Sequence, residues 1–144
     1  PAIAQVRAVG RVAGMVRNIA VESGAGTVSR DLSHAPIDMD HLDQQSLGDP
    51  GLRDEVLRLY AQMSSVYLGR IEESTSIPLL LEHLHTLKSA AAGIGAWGVR
   101  DLAKRAEDAL RSGEPVNPEH IQDIAAAVAD CQEFIAELIS ADEA

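Results

Sequence analysis

Cysteine, aromatic side chains and long apolar runs are all scarce in this chain of 144 residues. Its single cysteine, Cys131, excludes a disulfide framework within the chain and is typical of a reducing compartment, so we predict a cytoplasmic protein. Aromatic residues make up 3% of the chain, which is too few for a nucleic-acid binder that stacks bases. No apolar run approaches the roughly 20 residues of a membrane-spanning helix. Membrane and nucleic-acid partners are therefore not expected.

Basic residues are in the minority as well. Lysine and arginine number 12 against 22 acidic residues, a formal net charge of −10, which disfavours binding to a phosphate backbone. Residues 1–36 carry four arginines and two acidic residues, whereas residues 37–144 carry 8 basic and 20 acidic residues. A stretch rich in glycine and serine, residues 23–29, separates the two regimes. We predict a flexible or weakly helical extension over 1–36 and a folded domain over 37–144.

The apolar residues of the domain recur at helical spacing, and no segment alternates with period two. We expect a short helix over 39–46, followed by four longer helices. The first is capped by Asp49, has Pro50 at its first position and reaches about residue 74. The second is capped by Ser76 and ends in a glycine-containing turn at residues 93–98. The third ends at Ser112-Gly113, and Asn117-Pro118 starts the last.

Each long helix carries one apolar stripe that should face the core. The stripes are Leu52, Val56, Leu59, Met63, Val66 and Arg70; Leu80, Leu84, Leu87, Ala91 and Ile94; Val99, Leu102, Ala106 and Ala109 or Leu110; and Ile121, Ile124, Val128, Cys131, Ile135 and Leu138. Four such stripes with short connections predict an all-α fold, an antiparallel four-helix bundle with a short N-terminal lead-in helix. Cys131 should then be a buried thiol.

The histidines are the candidates for chemistry. We expect His34, His41 and His120 to be surface residues. His83 and His85 share one helix, but residues two apart point about 200° apart round its axis, so the pair is a poor metal site. No glycine-rich nucleotide loop occurs in the chain, and any phosphoryl group would have to come from a donor protein.

One side of the 76–94 helix lacks the charged residues of an ordinary exposed face. On a helical wheel, the solvent side of this helix carries Leu81, Lys88, Ala92, His85 and Ser89. We expect Leu81, Ser89 and Ala92 to receive a partner protein around the imidazole of His85. A neutral imidazole is a good nitrogen nucleophile, and Lys88 lies close enough to stabilise an added negative charge. The simpler interpretation is an incidental surface histidine.

The run HTLKSAAAGIGA, residues 85–96, resembles the signature of histidine-containing phosphotransfer domains of multistep two-component phosphorelays. In that pattern His85 matches the phosphorylated histidine, Lys88 the supporting lysine and Ile94-Gly95 the apolar–glycine pair. Ser89 stands where glycine is usual, a mild departure because serine is small. The resemblance covers about residues 37–141 and includes the lead-in segment 37–50.

The resemblance implies a phosphocarrier without its own ATP-binding or catalytic domain. A receiver-domain aspartate would donate to His85, at its Nε2 atom, and a second receiver would take the group onward. The partners would be receiver domains of response regulators and hybrid histidine kinases. The chain would need no cofactor of its own, because the receiver would supply Mg²⁺. We expect a monomer.

Three other interpretations stay open. The chain could be the phosphoryl-accepting domain of a chemotaxis-type histidine kinase, whose donor is ATP on a separate catalytic domain. It could be a helical adaptor that is never phosphorylated, or an inactive relative of the phosphotransfer domains. Acid-labile phosphate on His85 would exclude the last two. The polar tail at residues 140–144 favours a natural end to the chain over a cut fragment.

Overall fold

The computed structural model describes residues 35–143, and their side chains as far as residue 141. In this range it has five helices and no strand: α1 (Met39–Gln45), α2 (Pro50–Glu73), α3 (Ile77–Ile94), α4 (Trp97–Arg111) and α5 (Pro118–Glu143). The all-helical prediction is confirmed for these residues. None of the described helices is long and apolar enough to cross a membrane. Apart from Ala35 and Pro36, the segment predicted as an N-terminal extension, with His34, lies outside the described residues.

The helices begin at the residues that the capping signals predict. The Asp49 side chain accepts hydrogen bonds from two backbone N–H groups at the start of α2, and Ser76 accepts one from Leu79 at the start of α3. The Asn117 side chain accepts the N–H of Glu119 at 2.9 Å where α5 begins. These bonds satisfy N–H groups that the first turn of a helix leaves unpaired. Gly113, with a φ of 90°, follows α4.

Each of the four long helices packs against two others, α2 on α3 and α5, and α4 on α3 and α5. The core lies inside this ring, and the stripes predicted for α3 and α5 are buried in it, except that Leu138 is only half-buried. Cys131 is 2% exposed, which confirms the buried thiol. The antiparallel order of the four helices stays a prediction, which their short connections favour.

The stripe predicted for α2 is wrong by one residue. The side chains that α2 buries are Leu57, Tyr60, Ser64, Ile71 and Glu72, whereas Leu59 is 56% exposed. A shift of one residue turns a helix by about 100°. Apolar residues lie both on the predicted side of α2 and on the side about 100° away. Periodicity alone therefore did not determine which side faces the core.

The lead-in segment is fastened to the end of α3 and the start of α4. The N–H of Asp38 donates to the carbonyl of Gly95 at 2.9 Å, and the Asp38 carboxylate accepts from the indole N–H of Trp97 at 3.0 Å. His41 lies 3.2 Å from the carbonyl oxygen of Gly93 through Nε2 and meets the Trp97 ring edge-on at 4.9 Å. His41, predicted as a surface residue, is half-buried because its ring joins α1 to these helices.

Candidate functional site

His85 lies on the outer surface of α3, on the side that faces α4. Its side chain is 59% exposed, because the core of α3 is formed by the opposite stripe. The Nδ1 atom lies 3.2 Å from Oε2 of Glu107 on α4. One ring nitrogen is thus engaged by the protein, while most of the ring is open to solvent.

Glu107 is the centre of a small charged cluster. Glu107 is 2% exposed. Its two carboxylate oxygens accept hydrogen bonds from three side chains, two on α3 and one on α4. The Lys88 ammonium donates to Oε1 at 2.6 Å. The Arg111 guanidinium, one turn further along α4, donates to Oε2 at 3.1 Å. The carboxylate is therefore almost enclosed by two cations and the imidazole.

The protein holds Glu107 in its ionised form. Burial by itself opposes ionisation, but the hydrogen bonds from Lys88 and Arg111 outweigh it and lower the pKa of this carboxyl to about 2, against an ordinary 4.5. Hydrogen bonds to a carboxylate and nearby positive charge both favour the charged state. Near neutral pH Glu107 can therefore only accept hydrogen bonds.

The ionised state of Glu107 determines which nitrogen of the His85 imidazole carries a proton. Because ionised Glu107 accepts, the Nδ1 atom of His85 must carry the proton that forms their bond. In the neutral ring the lone pair is then on Nε2, the nitrogen further from α4. A carboxylate in this position also fixes the orientation of the ring. The arrangement suits a nitrogen nucleophile that reacts with an incoming electrophile from solvent.

Lys88 is more constrained than its position in the sequence predicts. The sequence placed its ammonium in the space beside the ring, and the structure ties it to Glu107. Its side chain is half-buried, at 24% exposed. Lys88 thus holds the carboxylate that in turn holds His85.

The residues expected to receive a partner lie around the imidazole as follows. Leu81 and Ser89 are one turn before and one turn after His85, and Ala92 is almost two turns after it. Ser89 is exposed, but Leu81 and Ala92 are half-buried. The strip formed by these three residues and His85 is therefore less exposed than the helical wheel predicted.

The remaining histidines of the described range do not join the cluster. The ring of His83 is half-buried and lies 6.1 Å from that of Tyr67 on α2, which places it on the other side of α3. His120, predicted to be exposed, is half-buried in the first turn of α5. Within residues 35–143, no three histidine, cysteine or acidic side chains gather as a metal site would require.

Sequence reasoning missed Glu107. A local signal was present, since it follows the buried Val99 and Ala103 at steps of four residues and so lies on the apolar side of α4. An acidic residue there, with Arg111 four residues on, indicates a buried carboxylate that needs partners. Which residues of α3 it would meet depended on how the two helices pack.

The described residues thus form a helical bundle that presents the carboxylate-bound imidazole of His85 on an outer face. The model of the Hpt domain family matches residues 55–141, more than half of the chain. The chain belongs to this family, and Hpt domains carry phosphoryl groups in two-component signalling. No individual curated protein and no solved structure matches it significantly.

Proposed function

We propose that His85 accepts a phosphoryl group from a receiver-domain aspartate and passes it to the receiver of another response regulator. The observation that carries this proposal is the hydrogen bond from Nδ1 of His85 to Glu107. It leaves Nε2 as the nucleophile on an exposed ring. The family supports a role in two-component phosphotransfer, and the geometry supports His85 as the residue concerned.

The phosphoryl transfer needs no proton to be moved, because every bond formed is matched by a bond broken. The Nε2 lone pair forms a bond to phosphorus while the bond between phosphorus and the aspartyl oxygen breaks, and the aspartate leaves as a carboxylate. The ring keeps its Nδ1 proton and acquires positive charge, which the buried Glu107 carboxylate stabilises at 3.2 Å. The reverse sequence delivers the group to the next aspartate. A Mg²⁺ ion held by the receiver would stabilise the charge on the phosphoryl oxygens.

The receiver would dock on the strip that runs along α3. Leu81 and Ser89 flank His85 on the same side of the helix, and small side chains at positions 89 and 92 leave room for a partner's backbone. The contribution of the bundle is mainly to hold the imidazole for in-line transfer. This is consistent with a phosphocarrier and not an enzyme.

One observation also favours the second candidate, the phosphoryl-accepting domain of a histidine kinase. ATP is a less reactive phosphoryl donor than an aspartyl phosphate, so a carboxylate that stabilises positive charge on the attacking imidazole matters more with ATP. The Glu107–His85 pair would therefore also suit ATP as the donor. The donor therefore has to be found by experiment.

The test is to offer the protein both donors. Radiolabelled phosphorylated receivers, taken as a panel, are incubated with the wild type and with His85→Gln, and a matched set contains kinase catalytic domains with labelled ATP. We expect acid-labile label on the wild type from at least one receiver and none on His85→Gln, which should stay folded because position 85 is exposed. Label that appears only from ATP would replace the receiver by a kinase, and label on His85→Gln would remove His85 from the reaction.

A second test concerns the docking strip. Ser89→Trp and Ala92→Glu place bulk or charge beside the imidazole, so both should slow transfer from a receiver without changing the thermal midpoint by more than a few degrees. Ser112→Trp, at the exposed end of α4, is the matched control and should transfer normally. Unchanged transfer in both strip variants would mean that the receiver approaches from elsewhere.

A further inference from the structure

Ser89 has an exposed hydroxyl that the bundle itself does not use. It lies on α3, one turn after His85, and no hydrogen-bond partner of this hydroxyl lies within residues 35–143. Hydroxyl side chains in helices commonly donate to a carbonyl one turn back, as Thr86 does to Glu82 at 3.0 Å. The Ser89 hydroxyl is therefore available to a group from outside the bundle.

The helical geometry places Ser89 on one side of His85 and Lys88 on the other. At about 100° per residue, Lys88 lies about 60° to one side of His85 and Ser89 about 40° to the other. Lys88 is on the side of α4, since its ammonium donates to Glu107 there at 2.6 Å. Ser89 is thus on the side away from α4. Each side chain of a helix is also tilted toward the helix N-terminus, so the Ser89 hydroxyl leans toward the turn that holds His85.

The nitrogen that the proposed function uses is on this same side of the ring. Nδ1 of His85 is bonded to Glu107 at 3.2 Å, so Nε2 is the ring nitrogen further from α4. A phosphoryl group on Nε2 would therefore lie on the side of Ser89. The cations Lys88 and Arg111 both donate to Glu107, on the other side of the imidazole.

Glu82 is an acidic residue on the same side of α3 as Ser89. It is exposed and lies one turn before His85, so its side chain tilts toward the preceding turn and away from the imidazole. Its carboxylate would repel a phosphoryl group, whereas a hydroxyl can donate to one. Because Thr86 already donates to the Glu82 carbonyl, Ser89 is the hydroxyl beside the ring that can bind an added group.

We propose that the Ser89 hydroxyl donates a hydrogen bond to the phosphoryl group carried by Nε2 of His85. The proposal rests on the proposed function and adds a residue that binds the transferred group. A hydrogen bond to the charged phosphoryl oxygens stabilises the phosphorylated chain relative to the phosphorylated receiver. Glycine, the usual residue of the signature at this position, has no such donor. Ser89 therefore shifts the equilibrium of the transfer toward this chain.

The first experiment needs no partner protein. Phosphoramidate gives its phosphoryl group to Nε2 of His85 and releases ammonia, and His85→Gln treated in the same way is the blank. The phosphorus NMR shift of the loaded protein, followed against pH, then measures the pKa at which the phosphoryl group becomes a dianion. Because a donated hydrogen bond favours the dianion, we expect this pKa to be higher by roughly 0.5 in Ser89→Ala, about threefold in the ionisation constant.

Two further variants separate the hydroxyl from other effects of substitution. Ser89→Thr keeps the hydroxyl and should retain the wild-type pKa of the phosphoryl group. Ser65→Ala removes an exposed hydroxyl from α2 and is the matched control, with the wild-type pKa expected. If Ser89→Ala equals the wild type, or Ser89→Thr behaves like Ser89→Ala, this proposal is overturned while His85 remains the acceptor. If His85 accepts a phosphoryl group from no donor, the proposed function is overturned, and this proposal with it.

The second experiment measures the equilibrium of the transfer with a receiver that labels the wild type. The ratio of phosphorylated chain to phosphorylated receiver should fall roughly three- to tenfold in Ser89→Ala, less than for a buried hydrogen bond to a charged group because solvent competes. Ser89→Thr and Ser65→Ala should give the wild-type ratio. An equilibrium ratio does not depend on how fast the receiver docks, so it is independent of access to the imidazole. An unchanged ratio in Ser89→Ala would contradict the hydrogen bond.

Discussion

Glu107 is the residue through which the candidate site is assembled. It is buried on α4, and it joins His85 and Lys88 of α3 to Arg111 of its own helix. A buried carboxylate without partners would be strongly destabilising. The two cations stabilise the ionised form of Glu107, and the carboxylate in turn keeps the imidazole oriented. The stability of the fold and the orientation of the imidazole therefore depend on the same side chain.

The first prediction concerns acid stability. Because the pKa of Glu107 is lowered from 4.5 to about 2, its ionised form stabilises the fold. That contribution is fully present above about pH 4.5 and is lost as the pH falls toward 2. We expect Glu107→Gln to be less stable than the wild type at pH 7 by up to about 3 kcal/mol, and the difference should close between pH 4.5 and 2.

Urea unfolding at a series of pH values measures this difference. Asp108→Asn, which alters an exposed carboxylate on the same helix, reports the effect of removing a surface charge and should show a small difference at pH 7. If the gap between the wild type and Glu107→Gln stayed constant down to pH 2, Glu107 would not be held ionised by its partners.

The second prediction concerns Lys88. Because its ammonium holds Glu107 at 2.6 Å, Lys88→Ala should loosen the carboxylate and the imidazole together and slow transfer to His85 by roughly tenfold, about 1.4 kcal/mol in the barrier. Lys88→Arg keeps the charge and should transfer faster than Lys88→Ala. Single-turnover labelling from a phosphorylated receiver measures both rates.

The matched control for Lys88 is Lys104→Ala. Lys104 forms an exposed ion pair with Asp108 at 2.7 Å on α4, and such pairs contribute little. Its transfer rate should equal that of the wild type. Normal transfer by Lys88→Ala would reduce Lys88 to a structural partner of Glu107.

At the scale of the elements, the end of α3 depends on a glycine. Gly95 is the C-cap of α3 and has a φ of 82°, a left-handed conformation that side chains disfavour. A Cβ atom there would lie 3.0 Å from the Cβ of Asp38 and 3.1 Å from its carbonyl oxygen. The glycine of the Ile94-Gly95 pair thus lets the lead-in segment approach α3 closely.

The third prediction follows from this close approach. Gly95→Ala should destabilise the protein by about 1–3 kcal/mol, because it combines a strained φ with a contact against backbone. Gly93→Ala is the matched control, since it lies within α3 and a Cβ there would meet nothing within 4 Å. That substitution should be neutral or stabilising by up to about 1 kcal/mol. The midpoints of urea unfolding compare the two, and equal midpoints would show that the segment adjusts without cost.

At the scale of the whole molecule, the core contains a thiol that reagents in solution should not reach. Cys131 lies in the α5 stripe, and its Sγ atom is 3.7 Å from the carbonyl oxygen of Pro36, which directly precedes the lead-in segment. Burial, with a smaller effect of Asp130, raises the pKa of this thiol to about 12. Since the thiolate is the reactive form, both access and ionisation protect it.

The fourth prediction is that Cys131 packs as a small apolar side chain. Cys131→Ala should cost about 1 kcal/mol of stability and should leave transfer to His85 unchanged. A thiol reagent should label the native wild type slowly and the urea-unfolded wild type rapidly, with Cys131→Ala as the blank. Rapid labelling of the native protein, with loss of transfer on oxidation, would indicate a regulatory thiol.

Local chemistry in the sequence determined most of the elements. Asp49 and Ser76 cap helices because their side chains accept backbone N–H groups wherever such a helix begins, and the glycine at 95 ends one because of its φ. The apolar period of α3 and α5 determined their buried sides, and with them the exposure of His85 and the burial of Cys131. These features depend on residues within one or two turns of each other, so they could be predicted from the sequence without knowing how the helices pack.

Other features were decided only by the tertiary structure. The α2 helix has apolar residues on two sides, and its packing against α3 and α5 selected Leu57 and Tyr60 for the core over Leu59. Glu107 meets His85 across 22 positions in the chain, a contact that depends on how α3 and α4 align. The sequence therefore identified the nucleophile candidate by its surroundings on one helix. Its carboxylate partner, which engages the Nδ1 atom, followed from packing between helices.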